Sequence, residues 1–328
     1  MKYRQLGKTG FGISEISLGT WQAGGRWGEP FSKTNARGII NRAIDNGINF
    51  IDTADVYGNG LSEKMVGEVV RSRRERVYVA TKCGRRLSPH TNETYTPQAL
   101  RHFVDQSLRN TGFEVLDLIQ LHCPPSGVYD RPEIFGLFDR LKEEGKILHL
   151  GVSVETVDEA MKAIQYANVT TVQIIFNMFR HKPSEIFFDA AAAKNVGIIV
   201  RVPLASGLLT GLYSKKTEFG KQDHRNFNRD GAMFDKGETF SGVDYQTGLL
   251  AVDELKKVFP GRENLSSLAL KWILMFDQVS VVIPGASRDE QLISNLSALD
   301  EEPMTPEQME GVKEIYNRLI KPQVHPLW

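Results

Sequence analysis

Phe50-Ile51-Asp52-Thr53-Ala54-Asp55-Val56-Tyr57 is a short apolar run, entered through Ile48, that stops at a carboxylate and is followed by a tyrosine. A strand that ends in Asp52, with Tyr57 just beyond, puts both groups at the C-terminal edge of a sheet. A tyrosine gives up its proton readily only where a neighbour lowers its pKa from about 10. A working site therefore also needs a cation, an imidazole and a cradle for a cofactor.

Outward from this stretch the same pattern repeats. Short β-rich runs occur at Ile16–Leu18, Asn49–Asp52, Val77–Thr81, Leu116–Leu121, Ile147–Ser153, Thr171–Ile175, Gly197–Val202 and Val279–Ile283. Helical periodicity lies between them, at Thr34–Asn46, Leu61–Val70, Pro97–Asn110, Pro132–Glu144 and Thr156–Tyr166. Thr96 before Pro97, and Asp130 before Arg131–Pro132, read as helix starts, while Gly47, Gly145 and the Asn195–Gly197 stretch read as stops. Parallel neighbours need crossover connections, so eight such alternations indicate a parallel sheet. The fold expected is α/β, a (β/α)₈ TIM barrel, because closure removes both sheet edges. An open doubly wound sheet is the alternative, weakened by the absence of a Gly-x-Gly-x-x-Gly turn after any strand.

A barrel takes about 250 residues, and the surplus can be placed. Lys2–Leu6 and Ile13–Ile16 read as an N-terminal β-hairpin around Gly7–Gly12. Tyr213–Val243 is polar and rich in Gly, Asp, Asn and Arg, and reads as a long loop. A C-terminal extra helix is expected at about Pro306–Leu319, followed by an extended tail from Pro322 to Trp328. No linker interrupts the pattern, so residues 1–328 read as one domain.

Forty Lys and Arg balance forty Asp and Glu, which argues against a general nucleic-acid or membrane-surface role. No apolar run approaches the length of a membrane span, and the first residues lack the apolar core of a signal peptide. Two cysteines in a chain of this size fit a reducing compartment, so a cytoplasmic setting is expected. Cys83 and Cys123 read either as a redox pair across adjacent strands or as two small buried thiols.

Functional groups of a barrel gather where its strands end. By that rule the second strand presents Asp52, the third Lys82, the fourth His122 and the fifth Ser153. A buried ammonium needs a partner, and Asp52 can pair with Lys82 across neighbouring strands. Lys82 can in turn lie beside Tyr57 and favour its phenolate, with His122 as a second hydrogen-bonding group. Singly, each has a plainer reading: a helix cap for Asp52, a structural histidine for His122, a packing residue for Tyr57. The conjunction of four matched groups at one rim favours a catalytic set.

With these residues in place, the chain resembles the aldo-keto reductases over essentially its whole length. The resemblance rests on Gly19–Thr20–Trp21, Asp52–Thr53–Ala54 with Tyr57, Lys82, Leu121–His122, Gly151–Val152–Ser153, Pro203–Leu204–Ala205–Ser206–Gly207–Leu208–Leu209 and Ile283–Pro284–Gly285–Ala286–Ser287. It implies a barrel plugged at its base by the hairpin, and hydride transfer from a nicotinamide cofactor to a carbonyl. Tyr57 would be the general acid, Lys82 and Asp52 the pair that tunes it, and His122 the group that orients the carbonyl oxygen. No metal is required, and no Cys/His cluster of zinc spacing is visible.

For the cofactor, NADP(H), the resemblance implies contacts from Gly19, Thr20, Trp21 and Asp52, and from Ser153 and Gln173 to the carboxamide. The turn holding Pro203, Leu204, Ser206, Gly207 and Leu208 would pass along the pyrophosphate. Gly285, Ser287 and Arg288 open a helix carrying Gln291 and Asn295. A helix N-terminus with a serine and an arginine suits the adenosine 2′-phosphate, or is an ordinary capped start. Two positions depart from the family pattern. Val154 stands where asparagine is common, and Arg201 where an aromatic ring often stacks on nicotinamide. A guanidinium can stack on an aromatic face, but Arg201 near a positively charged oxidised ring would be unfavourable and would bias binding towards the reduced form.

Substrate contacts are expected from Trp21, Tyr57, His122 and Trp27, with Gln22, the 123–129 segment, the 213–242 loop and Trp328 as further walls. Such a wall suits a small-molecule carbonyl, sugar-derived or an aromatic aldehyde. Two other readings stay open: a sugar dehydrogenase working in the oxidative direction, and a cofactor-sensing protein similar to channel β subunits. The sequence does not fix an oligomeric state.

Overall fold

The computed structural model describes residues 1–25 and 30–328. A hairpin of β1 (Tyr3–Gln5) and β2 (Gly12–Ser14) precedes eight strands: β3 (Leu18–Gly19), β4 (Phe50–Asp52), β5 (Tyr78–Cys83), β6 (Leu116–His122), β7 (Ile147–Ser153), β8 (Val169–Ile175), β9 (Gly197–Arg201) and β10 (Val279–Val282). All eight run parallel and pair in sequence order. The sheet curls until its ends meet: Ile16 bridges Val282 and Gly19 bridges Gly285. The amides of Ser17 and Gly19 donate to Val282 O (2.9 Å) and Pro284 O (3.0 Å) across that seam. The expected barrel is thus observed, and the open sheet is not.

Helices α1 (Lys33–Asp45), α2 (Leu61–Ser72), α3 (Pro97–Thr111), α4 (Pro132–Glu143), α5 (Val157–Ala163) and α6 (Phe187–Ala193) follow β3 to β8 in turn. The segment after β9 holds the short α7 (His224–Phe227), then α8 (Tyr245–Val258) and α9 (Ser266–Leu274); α10 (Asp289–Leu296) follows β10. Their starts follow local chemistry. Thr96 caps α3 by accepting from Ala99 N, and Thr156 forms a capping box with Glu159 that opens α5. Asp130 does not cap α4; its carboxylate pairs with Lys162 at 2.7 Å. Among the described residues no helix is long and apolar enough to cross a membrane.

Strand alternation builds two cores. Outward-facing residues such as Ile119, Leu121 and Val152 pack under the helices. Inward-facing Phe50, Ala80, Leu118, Ile199 and Val281 meet Leu6, Phe11 and Ile13 of the hairpin. The hairpin is therefore a plug: each large side chain it buries is worth roughly 1.5–3 kcal/mol against exposure. Arg4 fastens it to the last strand and to the end of the helix Ser266–Leu274, donating to Val279 O (2.8 Å) and Leu274 O (2.6 Å) beside Glu15. With the base filled by hydrocarbon, the open end of the barrel is the end where β4, β5 and β6 stop.

The tail departs from expectation. After α11 (Pro306–Ile315) the chain makes a wide π turn over Tyr316–Ile320, then α12 (Lys321–Val324). Pro322 sits in the first turn of α12, where its missing N–H is not needed, so the segment coils instead of extending. Trp328 is consequently carried beneath the 213–243 loop. Its indole donates to Asp235 (2.9 Å) and lies under the Arg180 guanidinium at 3.9 Å. Gly242 makes room for it, since a Cβ there would stand 2.4 Å from the indole. Trp328 is a packing residue of the loop and not a wall of the cleft.

Candidate active site

Asp52, Lys82 and His122 lie at the ends of three consecutive strands, and register steps each two residues beyond the one before. Asp52 pairs with Ala80 and Lys82 with Gln120, while His122 pairs with Ser153. Lys82 is fully buried and bonded to the Asp52 carboxylate, donates to Thr53 O at 2.8 Å, and reaches the Tyr57 hydroxyl at 3.4 Å. The second carboxylate oxygen of Asp52 accepts from Gln173 (2.8 Å) and Gln120 (3.2 Å). The Tyr57 and His122 rings meet edge to face, centroids 6.1 Å apart, and Trp21 stacks on the other side of Tyr57 at 6.4 Å.

Electrostatics follow from burial and these partners. Burial pulls the Lys82 ammonium down, but Asp52 and Tyr57 outweigh it and the net shift is upward, so the charge is kept. For Tyr57 burial is again the largest influence and holds the phenol above its ordinary value, with Lys82 opposing. The sequence weighed the cation alone and expected a lowered phenol; the enclosure reverses the sign. Burial, then Arg85, Lys82 and Arg201, push His122 well below the usual imidazole range. It is neutral at physiological pH, and its buried Nδ1 has no hydrogen-bond partner among the described residues.

A cleft of about 400 Å³ runs from this set across the barrel mouth. Gly19, Thr20, Trp21, Gln22, Asp52, Tyr57 and Gln173 line it, with Arg201, Pro203, Leu204, Ser206 and Gly207 from the end of β9 and the turn after it. Gly285, Arg288, Gln291 and Asn295 line it from the segment after β10, which is bridged to β3 at Gly19. Lys82 and His122 adjoin Tyr57 and are not themselves in the lining. Trp27 lies outside the described residues.

Four expected contacts are buried or already engaged within the chain. Ser153 is buried, with its hydroxyl 3.5 Å from the Cys123 thiol, and is not part of the lining. Leu208 is fully buried and packs against α8, where a Cβ on Gly248 would meet it at 2.3 Å. The amide and hydroxyl of Ser287 are both taken by Gln291 Oε1, at 2.8 and 3.0 Å. Ser206 lines the cleft, but its hydroxyl donates to Glu238 O and accepts from Phe240 N, both at 3.1 Å. It pins the long loop.

Arg201 also differs from expectation. Its guanidinium donates to Val154 O (3.0 Å) and Glu155 (2.7 Å), with Glu238 at 3.7 Å. Glu238 in turn pairs with Arg85 at 2.9 Å. Two guanidiniums and two carboxylates form a nearly neutral cluster, so Arg201 is not the bare cation inferred from sequence. Val154 contributes its carbonyl as the tether. Cys123 adjoins this cluster, and burial raises its thiol and that of Cys83; both are free, buried thiols.

Sequence reasoning missed Gln120, Arg85, Glu155 and Glu238. Tyr213, His224 and Arg225 line the cleft from the long loop expected as a wall. Gln120 had a signal: it is the polar residue at an inward position between Leu118 and His122.

The aldo/keto reductase family model matches residues 15–317. The chain belongs to the aldo/keto reductase family. It is 29% identical to the aldo-keto reductase YhdN of Bacillus subtilis over 99% of this chain and 97% of that protein. It is 26% identical to a probable voltage-gated potassium channel subunit beta of Oryza sativa subsp. japonica, covering 96% of each. The solved glycerol dehydrogenase AKR11B4 of Gluconobacter oxydans matches with a TM-score of 0.77 and 29% identity, covering 97% of this chain and 96% of that one. As an aldo/keto reductase the protein is an oxidoreductase of carbonyl and alcohol groups, in a family that uses nicotinamide cofactors.

Proposed function

We propose that the protein is an NADPH-dependent reductase of small aldehydes or ketones, with Tyr57 as the proton donor. The observation that carries this is the buried Asp52–Lys82–Tyr57 chain opening onto a cleft that Arg288 also lines. The cleft suits an extended dinucleotide. Among the described residues no ion pair neutralises Arg288, which lines the cleft. Arg288 with Gln291 and Asn295 would hold the adenosine end and its 2′-phosphate, the Pro203–Gly207 turn the pyrophosphate, and Gln173 with Arg201 the nicotinamide end.

The bound cofactor supplies a hydride to the carbonyl carbon. The protein handles the oxygen. As negative charge grows there, Tyr57 O–H donates a hydrogen bond and then its proton, and Lys82 stabilises the phenolate left behind. Neutral His122 offers an N–H towards the same oxygen and brings no competing charge. Asp52 holds Lys82 in place. A phenol kept above pKa 10 by burial is protonated at neutral pH, which favours reduction. Trp21 beside His224, ring centroids 5.0 Å apart, gives the mouth a wall suited to a sugar-derived carbonyl or an aromatic aldehyde.

Oxidation of an alcohol is the second reading, favoured by the likeness to a glycerol dehydrogenase. It needs the Tyr57 phenolate. Following NADPH absorbance with short aldoses, ketoses and benzaldehydes tests the proposal. The wild type should exceed Tyr57→Phe by at least about 100-fold on its preferred carbonyl; equal rates on every compound would refute it.

A further inference from the structure

Gln120 is fully buried inside the barrel at the level of Lys82. Its Nε2 donates to Asp52 Oδ2 at 3.2 Å, and its Oε1 accepts from Gln173 Nε2 at 3.3 Å. Gln173 Nε2 donates to the same Asp52 oxygen at 2.8 Å. The register partner of Gln120 on β7 is Gly151. A Cβ there would stand 3.1 Å from Gln120 Cγ and 2.2 Å from Thr171 Oγ1. The barrel wall is cut away at one position, and an amide crosses the space to reach Asp52.

Donor accounting fixes both amides. An ionised carboxylate only accepts, so each glutamine must turn its NH₂ to Asp52; turned round, a carbonyl oxygen would face the charge. The two N–H groups of Gln173 are then used by Asp52 and by Gln120 Oε1. Its own Oε1 is left for the cleft, which Gln173 lines. Without Gln120, one N–H of Gln173 would be free, and the amide could present donor or acceptor to the cleft.

We propose that Gln120 is a positioning residue that locks Gln173 as an acceptor-only group towards the cofactor's carboxamide NH₂. This rests on the functional reading above, and it couples the proton-transfer pair to the orientation of the ring. The lock acts through the Asp52 charge, which holds Lys82 on one oxygen and both amides on the other.

Binding discriminates the roles without turnover. Dissociation constants are measured by tryptophan fluorescence for NADPH and for its 3-acetylpyridine analogue, in which a methyl group replaces the carboxamide NH₂. The wild type should prefer NADPH by about tenfold, the worth of one hydrogen bond. Gln120→Met fills the same space without polar atoms, and Gln120→Asn keeps an amide one methylene too short. Both should bring the preference to within about twofold while circular dichroism stays native. A preference unchanged in either folded variant overturns the inference. If Gln120→Met does not fold, Gln120→Asn decides. A wild type that binds NADPH with no preference overturns the inference but leaves the functional reading standing; one that binds neither compound overturns both.

Discussion

The Lys82 ammonium lies 3.4 Å from the Tyr57 hydroxyl while bonded to the Asp52 carboxylate and to Thr53 O. It is thus held on two sides by oxygens that do not react and faces, with what remains, the one that can. Removing either partner leaves an uncompensated charge in the barrel, at about 3–5 kcal/mol. Lys82→Met and Asp52→Asn should each lower the unfolding midpoint in urea and reduce kcat/KM by at least about 100-fold. The double variant should be more stable than the sum of the single losses, because the charges vanish together. Strict additivity would show that the pair is not coupled.

The raised Tyr57 phenol sets opposite pH dependences for the two directions. Reduction uses the protonated form, so its kcat/KM should stay level through neutral pH and fall only in the alkaline range above 10. Oxidation uses the phenolate, so its rate should climb with pH over the same interval. A reduction profile that falls between pH 7 and 8 would contradict the sign of the shift.

Asp55 is fully buried and neither carboxyl oxygen has a hydrogen-bond partner among the described residues. Burial, then Glu63, raises its pKa from 3.8 to about 7. A folded value above the unfolded one means that its contribution to stability is complete below pH 3.8 and is lost as pH rises towards 7. Asp55→Asn removes that dependence. Relative to wild type, the variant should gain stability progressively between pH 4 and 7, reaching a few kcal/mol at the upper end. A stability difference that is constant across pH would mean that Asp55 is ionised in the folded protein.

Local pattern made the barrel and the four central residues legible. Each strand is a short β-rich run, and each of Asp52, Lys82 and His122 comes at the end of such a run. What was not legible depends on closure. Glu238 reaches Arg85 and Arg201 from a loop more than thirty residues along from β9, and nothing near it in sequence points to either. Enclosure of Tyr57 is likewise a property of the assembled mouth, so its pKa could not be signed from Lys82 alone. Trp328 is expected on an extended tail, whereas Pro322 starts a helix that carries it under the loop. Gln120 was readable from alternation, but its partners required the barrel interior.

Glu238 compensates Arg201, and this changes what Arg201 does to the cofactor. With both carboxylates present the cluster is close to neutral, so oxidised and reduced NADP should bind with similar affinity as far as Arg201 is concerned. Glu238→Gln leaves Arg85 and Arg201 with Glu155 alone. The uncovered positive charge should weaken the oxidised form several-fold more than the reduced form, as measured by calorimetric titration of each. Arg201→Tyr should reverse that change in the Glu238→Gln background. An affinity ratio that is the same in all three proteins would remove the guanidinium from the ring's surroundings.

On the proposed reading Arg288 decides between the two dinucleotides. It lines the cleft at the start of α10, whose N-terminus favours negative charge. Ser287 cannot assist directly, since Gln291 Oε1 holds both its amide and its hydroxyl. The guanidinium is therefore the main positive group available to a 2′-phosphate there, and a charged hydrogen bond of this kind is worth about 1.5–3 kcal/mol. Arg288→Ala should lower kcat/KM for NADPH by roughly 10- to 100-fold. It should leave the value for NADH within about twofold, because NADH carries no phosphate to lose. Equal losses for both cofactors would assign Arg288 to the adenine or to the fold of α10, and the preference for NADPH would then need another source.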